Sequence, residues 1–192
     1  MKLLKRLFLL SVIILLSISG CGGKGNSSFY LDQNIDFSFI KRVAVLPLDN
    51  FSNDKFAADA VRQVVISELL ASNLVEVVSP GDVNAALASL KFKSGESPNS
   101  EHMKSIGKSL HVQGIILGAV NKYGEIREGN VSAPEVAITL MMADASSGSI
   151  IWSVTKTKGG ASFMAKHFGA RADTMSETVL EVVREAIQTL YH

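Results

Sequence analysis

Cys21 has the setting that predicts the most specific chemistry in this sequence, and it is the only cysteine among 192 residues. Lysines and an arginine open the chain, an apolar run with serines covers residues 7–18, and small residues lead to the cysteine. A positive start, an apolar segment of this length and a small-residue exit are typical of a secretory signal. The run is shorter than the roughly 20 apolar residues of a membrane-spanning helix. The pattern predicts a signal peptide over residues 1–20.

The residues just before this cysteine, Ile18-Ser19-Gly20, resemble the lipobox of bacterial lipoproteins. The resemblance implies cleavage before Cys21 and attachment of diacylglycerol to its sulfur, so the protein would be held on a membrane by a lipid anchor. Gly22 follows the cysteine, where inner-membrane lipoproteins of enterobacteria carry an aspartate. The resemblance therefore implies a place on the periplasmic face of the outer membrane.

The alternative is an ordinary signal peptide cut after Ser19. That cut would leave Cys21 as an unpaired thiol in an oxidising compartment, where cysteines normally pair. Since the chain has no second cysteine, no intramolecular disulfide can form. The lipid interpretation gives the cysteine a purpose that the alternative does not.

No other residue lies in a recognisable catalytic or metal-binding pattern. The chain lacks G-x-S-x-G, a P-loop, G-x-G-x-x-G and H-E-x-x-H, and its four histidines do not have metal-ligand spacing. We therefore predict no catalytic residue, no metal, no cofactor and no enzymatic activity. Asp49, Asp54 and Asp144 lie near predicted strand ends, where α/β proteins often bind ligands. Turn formation and helix capping explain the three aspartates with fewer assumptions.

The charge balance excludes a strongly basic surface. The whole chain carries 19 lysines and arginines against 18 aspartates and glutamates. Three of the basic residues belong to the predicted signal, so the mature chain is slightly acidic. No positive field is available to attract nucleic acid, and we predict no nucleic-acid partner.

The remaining chain, about 170 residues, suits a single domain. Residues 21–40 are predicted to hold the lipidated cysteine and a flexible linker rich in glycine, serine and asparagine. Within that linker, Phe29, Tyr30 and Leu31 are unusually apolar. They could pack on the domain or on a neighbouring subunit, or form a strand end that docks on the protein's own core. Residues 41–192 are predicted to form one periplasmic α/β domain.

Hydrophobic periodicity supplies the elements of that domain. Short apolar runs predict strands, and apolar residues at spacings of three and four predict helices. The pattern gives the order β-α-β-α-α-β-β-β-α and the fold class α/β, with a mixed β-sheet flanked by helices. The predicted strands cover residues 41–47, 75–78, 112–120, 136–144 and 149–157, and the predicted helices cover residues 55–71, 82–90, 101–110 and 173–191. Residues 121–134 are predicted to be a loop, and the glycine-rich residues 158–172 fit no pattern clearly.

Three stretches resemble a known family in the same order: VAVLPLDNFSND (residues 43–54), IGKSLHVQGIILGAVNKYG (residues 106–124) and VAITLMMADASSGSIIWSVTKTKGG (residues 136–160). They are similar to the periplasmic α/β domain of the curli-secretion lipoprotein family, CsgG, and of its smaller relatives, which include the penicillin-binding-protein activator LpoB. The resemblance implies an outer-membrane lipoprotein that works by contact with envelope or secretion proteins, often as an oligomer.

Two classes of function follow from this resemblance. The first is a protein-binding or scaffold lipoprotein in envelope assembly or export. The second is a subunit of a CsgG-like secretion channel or its accessory ring. Channel-forming members need membrane-crossing hairpins of over 20 residues, whereas residues 121–134 and 158–172 offer only about 15 each. The first class is therefore preferred, and a sensor for a small ligand around Asp49 and Asp144 is a third, remoter hypothesis.

Phe163, Met164 and Phe168 are candidates for a partner contact. They are apolar, and they lie in the glycine-rich stretch beside Lys166 and Arg171. Simple burial against the domain explains the three residues equally well.

Overall fold

A computed structural model describes residues 28–92, 98–128, 131–160, 171 and 173–191. Cys21 and the predicted contact residues Phe163, Met164 and Phe168 lie outside this part of the chain. Within it, seven strands and four helices follow one another, with a short 3-10 turn over Phe37–Phe39. The elements are β1 (Ser28–Leu31), β2 (Arg42–Val45), β3 (Asp49–Asn50), α1 (Ala57–Ser72), β4 (Glu76–Val77), α2 (Pro80–Ser89), α3 (Ser100–Leu110), β5 (Gly114–Glu128), β6 (Val131–Asp144), β7 (Ile150–Gly159) and α4 (Met175–Gln188).

All seven strands belong to one mixed sheet in the order β1-β7-β6-β5-β2-β4, with β3 also beside β5. The strand β2 pairs in parallel with β4 and β5, and β3 pairs in parallel with β5, whereas the β5–β6, β6–β7 and β7–β1 pairs are antiparallel. Because β2 and β3 lie on the same side of β5, they act as one strand interrupted at Pro47. This architecture confirms the predicted mixed sheet flanked by helices.

One face of the sheet is covered by α1 and α4, which bury the larger core cluster around Trp152. The apolar stripe of α1 explains its place there, since Val61, Val65 and Leu69 recur every fourth residue and are fully buried. The indole N–H of Trp152 donates to Thr189 Oγ1 at 2.9 Å just after α4, so this buried polar group is satisfied.

The other face is covered by α2 and α3, which bury a second cluster over β2 and the start of β5. These two helices reach only part of the sheet. On the rest of this face, side chains such as Thr139, Met141 and Thr155 remain partly exposed. The described part of the chain therefore has one well-covered sheet face and one partly open face.

The predicted loop over residues 121–134 is wrong. There β5 and β6 continue as a hairpin, with Tyr123 opposite Val136 and Glu125 opposite Pro134, after a bulge at Val120/Lys122. Glycine and proline suggested a break, but Pro134 lies just beyond the last pair that β6 makes with β7, where an edge tolerates proline. Many side chains of this hairpin are only half covered, so the apolar alternation that marks a strand is absent.

Residues 28–31 form a strand at the edge of the sheet rather than a linker. β1 runs antiparallel to β7, with Ser28 opposite Thr155 and Leu31 opposite Trp152. Leu31 packs against the larger core, which matches the predicted strand end docking on the protein's own core. Phe29 and Tyr30 stay more than half exposed. Ordered structure therefore begins before residue 41.

Candidate binding clefts

The two ends of the sheet serve to place the candidate sites. The end toward which β2 points is called the carboxyl end, and the opposite end is called the amino end. Asp49 pairs with Ala119 at the carboxyl end, whereas Asp144 pairs with Gly114 at the amino end. Five residues of β5 separate the two levels, which is about 17 Å at 3.4 Å per residue. The two aspartates therefore cannot form a single ligand site.

Asp144 and Asp54 have the structural duties that their sequence context suggests. Burial raises the pKa of Asp144, but hydrogen bonds from Ser147 and Ser146 outweigh it and hold this pKa below its usual range. Both Asp144 oxygens thus organise the turn between β6 and β7. Asp54 accepts a hydrogen bond from the backbone N–H of Phe56 at the start of α1. Neither carboxylate is arranged for catalysis.

The carboxyl-end cleft has a volume of about 650 Å³ and lies where the open part of the sheet meets α2. Its wall is mainly apolar, with the rings of Phe51 and Phe92 among aliphatic side chains. Three side chains supply polar atoms, namely Asp49, Asn84 and Thr139. The volume and the mostly apolar lining are those of a site for an apolar group with a polar end.

Local sequence explains why this cleft exists. Pro47 lies between β2 and β3 and interrupts their common pairing with β5. The chain therefore bulges away from β5 here and forms one wall of the cleft. Ser79 caps α2 by accepting from the backbone N–H of Asp82, with Pro80 in the first turn. The helix then runs along the opposite wall.

The amino-end cleft is larger, about 1000 Å³, and lies between residues 34–40 and α3. Ile35 and Phe39 form its apolar side, and Phe39 is 75% exposed. Lys104 and Lys108 project from α3 on the other side, where Lys104 Nζ lies 3.0 Å from Glu101 Oε1. The cleft therefore combines an exposed aromatic ring with a polar and charged rim.

Both walls of the amino-end cleft are held in place. Asp36 accepts hydrogen bonds from Ser38, which lower the pKa of Asp36 and fix the 3-10 turn. On the other wall, α3 approaches the sheet so closely at Gly107 that an added Cβ would lie 2.5 Å from Ala145 Cβ. A side chain at this position would push α3 away from the turn after β6.

Sequence reasoning preferred a turn or capping role for Asp49 and kept a ligand site there as a remoter hypothesis, and the structure places Asp49 on the carboxyl-end cleft. It missed Ile35 and Phe39, because both fell within the predicted linker. The apolar spacing of Ile35, Phe37, Phe39 and Ile40 was the signal that could have revealed an ordered segment. In the described residues, no group of three metal-ligating side chains comes together, and no helix is long and apolar enough to cross a membrane.

Comparison with known proteins adds a family to this geometry. The family model described as peptidoglycan-synthase activator LpoB matches residues 33–157, a range that contains β2 to β6, most of β7 and nearly all of the lining of both clefts. No curated protein matches the sequence.

Several solved structures share the fold. The PelC dodecamer from Paraburkholderia phytofirmans is 16% identical with a TM-score of 0.58, covering 85% of this chain and 96% of that one. Lipoprotein GNA1162 from Neisseria meningitidis is 14% identical with a TM-score of 0.54, covering 78% and 99%. The hypothetical protein CT253 from Chlamydia trachomatis is 12% identical with a TM-score of 0.50, covering 79% and 95%. At these identities the similarity establishes the fold alone.

Proposed function

The chain belongs to the LpoB family of peptidoglycan-synthase activators, and we propose that it is a lipid-anchored periplasmic protein that binds and activates a peptidoglycan synthase. The observation that carries this proposal is the family match over residues 33–157. That range covers nearly all of the sheet and three of the four helices, so the similarity belongs to the body of the domain rather than to one motif. The predicted resemblance to LpoB is thereby confirmed.

The proposed activity is binding, without chemistry performed by this chain. Exposed aromatic side chains are the surface residues that most often anchor protein–protein contacts. The described surface carries several, among them Phe39 and Phe51. Two clefts with apolar walls lie beside them. These features support a protein that acts by holding a partner.

Cys21 supplies the proposed anchor on the periplasmic face of the outer membrane. The support is the signal pattern, the lone cysteine and the glycine that follows it. β1 begins at Ser28, seven residues after Cys21, and seven extended residues span at most about 25 Å. The domain would thus stay close to the membrane that holds its acyl chains.

The test uses the full-length lipidated protein in detergent with a purified bifunctional peptidoglycan synthase from the same envelope. We expect a dissociation constant in the micromolar range or tighter and a several-fold faster glycan polymerisation when the protein is added. The Cys21→Ser variant, which cannot be lipidated, should still bind in detergent because the family match that supports the proposal lies within residues 33–157. If both purified proteins are folded, yet they do not associate and the synthase rate does not change, the proposal is contradicted.

A second candidate is a ring-forming component of an export system, and it is favoured by one observation. The solved structure of PelC, which shares this fold, is described as a dodecamer. In this alternative the exposed apolar residues would contact further copies of the chain. Mass photometry of the lipidated protein in detergent separates the two candidates. A closed ring of many copies that does not bind the synthase would favour the export component. Conductance of the protein in liposomes would further show that this ring forms a channel.

A further inference from the structure

We infer that the amino-end cleft, with Phe39 on its rim, is the surface on which the peptidoglycan synthase docks. The inference rests on the proposed function, because it assumes both the lipid anchor at Cys21 and the synthase as partner. It adds the location of the contact and the side chain that anchors it.

The direction of β1 orients the domain on its membrane. Ser28 lies opposite Thr155 and Leu31 opposite Trp152, so β1 runs from the carboxyl end of the sheet toward the amino end. Ser28, the first described residue, therefore lies on the carboxyl-end side of β1. Cys21 is at most about 25 Å from Ser28 along the chain, and on this basis we place the anchored membrane on the carboxyl-end side. The amino end then faces away from the outer membrane, toward the cell wall where a synthase works.

Phe39 is presented to a partner on a rigid support. Phe37 and Ile40 point inward, since Phe37 packs against the larger core and Ile40 is buried. Asp36 holds the start of the turn through the backbone N–H of Ser38 at 2.8 Å. An exposed aromatic ring on a fixed turn loses little conformational entropy when a partner covers it.

The rest of the cleft has the composition of an interface rim. Polar side chains surround the apolar pair of Ile35 and Phe39, with the amide of Asn34 on the same wall and Lys108 across from it. A central apolar anchor with a polar rim is the usual anatomy of a protein–protein contact. At about 1000 Å³, the cleft can receive a loop or a helix turn of the synthase that carries one apolar side chain.

The carboxyl end supplies a matched control. Phe56, at the start of α1, is 64% exposed, compared with 75% for Phe39. Both side chains can become serine without emptying the core, so neither variant should unfold the domain. The two phenylalanines lie at opposite ends of the sheet. Phe39 lines the amino-end cleft, whereas Phe56 lines neither of the two clefts.

The experiment measures synthase binding and activation with full-length lipidated Phe39→Ser and Phe56→Ser in detergent. We expect Phe39→Ser to raise the dissociation constant at least about 10-fold, as loss of an aromatic anchor usually does. The dissociation constant of Phe56→Ser should stay within about 3-fold of that of the lipidated protein without a substitution. Melting temperatures of both variants should stay within a few degrees of the unmodified protein. Equal binding by Phe39→Ser and the unmodified protein, or a loss confined to Phe56→Ser, would overturn the inference but leave the proposed function intact. No binding by the unmodified protein would refute the proposed function itself.

The orientation has its own test, which requires no synthase. Because lipidation would consume the only natural thiol, Asn53→Cys and Ser149→Cys each offer one site for a fluorophore, at the carboxyl and amino ends. In liposomes whose headgroups carry nitroxides, we expect the label at position 53 to be quenched more strongly than the label at position 149. Equal quenching, or stronger quenching at position 149, would contradict the orientation.

Discussion

The guanidinium of Arg62 lies inside the molecule, with only 5% of the residue exposed. Its Nε and Nη2 donate to the backbone oxygen of Val45 at 3.1 and 2.7 Å. Burial lowers the pKa of Arg62, although Asp59 partly offsets this effect. The carbonyl of Val45 lies at the end of β2, and the arginine supplies the donors that fix the last residue of this strand.

Arg62→Ala should therefore destabilise the domain by at least about 2 kcal/mol, because it leaves a buried carbonyl without a donor and opens a cavity. Gln63→Ala, on the exposed face of the same helix, should change the free energy of unfolding by less than about 0.5 kcal/mol. Urea denaturation of both variants measures the difference. Similar midpoints for the two would mean that the hydrogen bonds of Arg62 contribute little.

Glu177 gives the domain a predictable response to acid. It completes a capping box at the start of α4, where Thr174 and Arg171 donate to its carboxylate. These hydrogen bonds, first those from Thr174, lower the pKa of Glu177 from 4.5 to about 2. A carboxyl group with a depressed pKa in the folded state stabilises it above the unfolded pKa and loses this contribution as the pH falls through the folded value.

Glu177→Gln should consequently have a lower melting temperature at pH 7 than the protein without the substitution. This difference in melting temperature should narrow as the pH falls from 4.5 to about 2. Thr174→Ala removes the capping hydroxyl at every pH, so most of its deficit should persist in acid. Melting curves at several pH values test both expectations. If the difference in melting temperature for Glu177→Gln stays constant down to about pH 2, ionisation of the Glu177 carboxylate is not the cause of that difference.

At the scale of elements, β5 lies very close to β6 at Gly118. A Cβ built there would lie 2.1 Å from the backbone oxygen of Thr139 on β6. The same strand contains Gly124, whose added Cβ would meet nothing within 4 Å. The two glycines form a matched pair, since the first is required by packing and the second is not.

Gly118→Ala should cost about 1–3 kcal/mol of unfolding free energy, because the backbone of β6 must move. Gly124→Ala should be neutral or slightly stabilising, since alanine restricts the unfolded chain more than glycine does. Chemical denaturation of the two variants gives the comparison. Equal effects would mean that the hairpin can adjust at Gly118 without strain.

The elements that sequence could predict are those whose signal is local. Helix α1 and strand β2 carry their apolar pattern within a few residues, and both were placed within two residues of their observed bounds. The outer half of the β5–β6 hairpin was missed because its largely exposed side chains lack the apolar alternation of a strand, although its two strands are neighbours in the chain. The strand β1 was only one of several alternatives, because its partner β7 lies far along the chain.

The candidate site followed the same rule. Asp49 could be placed near a strand end, where ligands often bind, but its sequence context fitted a turn or cap equally simply. Phe39 could not be predicted, because nothing in the sequence says that Phe37 and Ile40 turn inward while Phe39 turns outward. Only the packing of Phe37 and the burial of Ile40 decide this orientation.

At the scale of the whole molecule, Cys21 lies outside the described residues, which start at Ser28. If the proposed anchor is separate from the fold, Cys21→Ser should move the protein from the membrane to the periplasmic fraction with an unchanged melting temperature. The reason is that several acyl chains, at about 0.8 kcal/mol per buried CH₂, would supply the membrane attachment. Fractionation with a melting curve checks both parts, and a variant that stays on the membrane would contradict a lipid anchor.

The pairing of the sheet has a consequence for how the protein reaches its compartment. β1 joins β7, and β2 joins β5, so the sheet brings together segments from opposite halves of the chain. Such non-local pairing is formed slowly, because long stretches of polypeptide must close before any contact is gained. During synthesis the early strands have no partners until the late ones have been made. If the predicted signal peptide directs export, this delay favours passage through a translocation pore before the sheet forms.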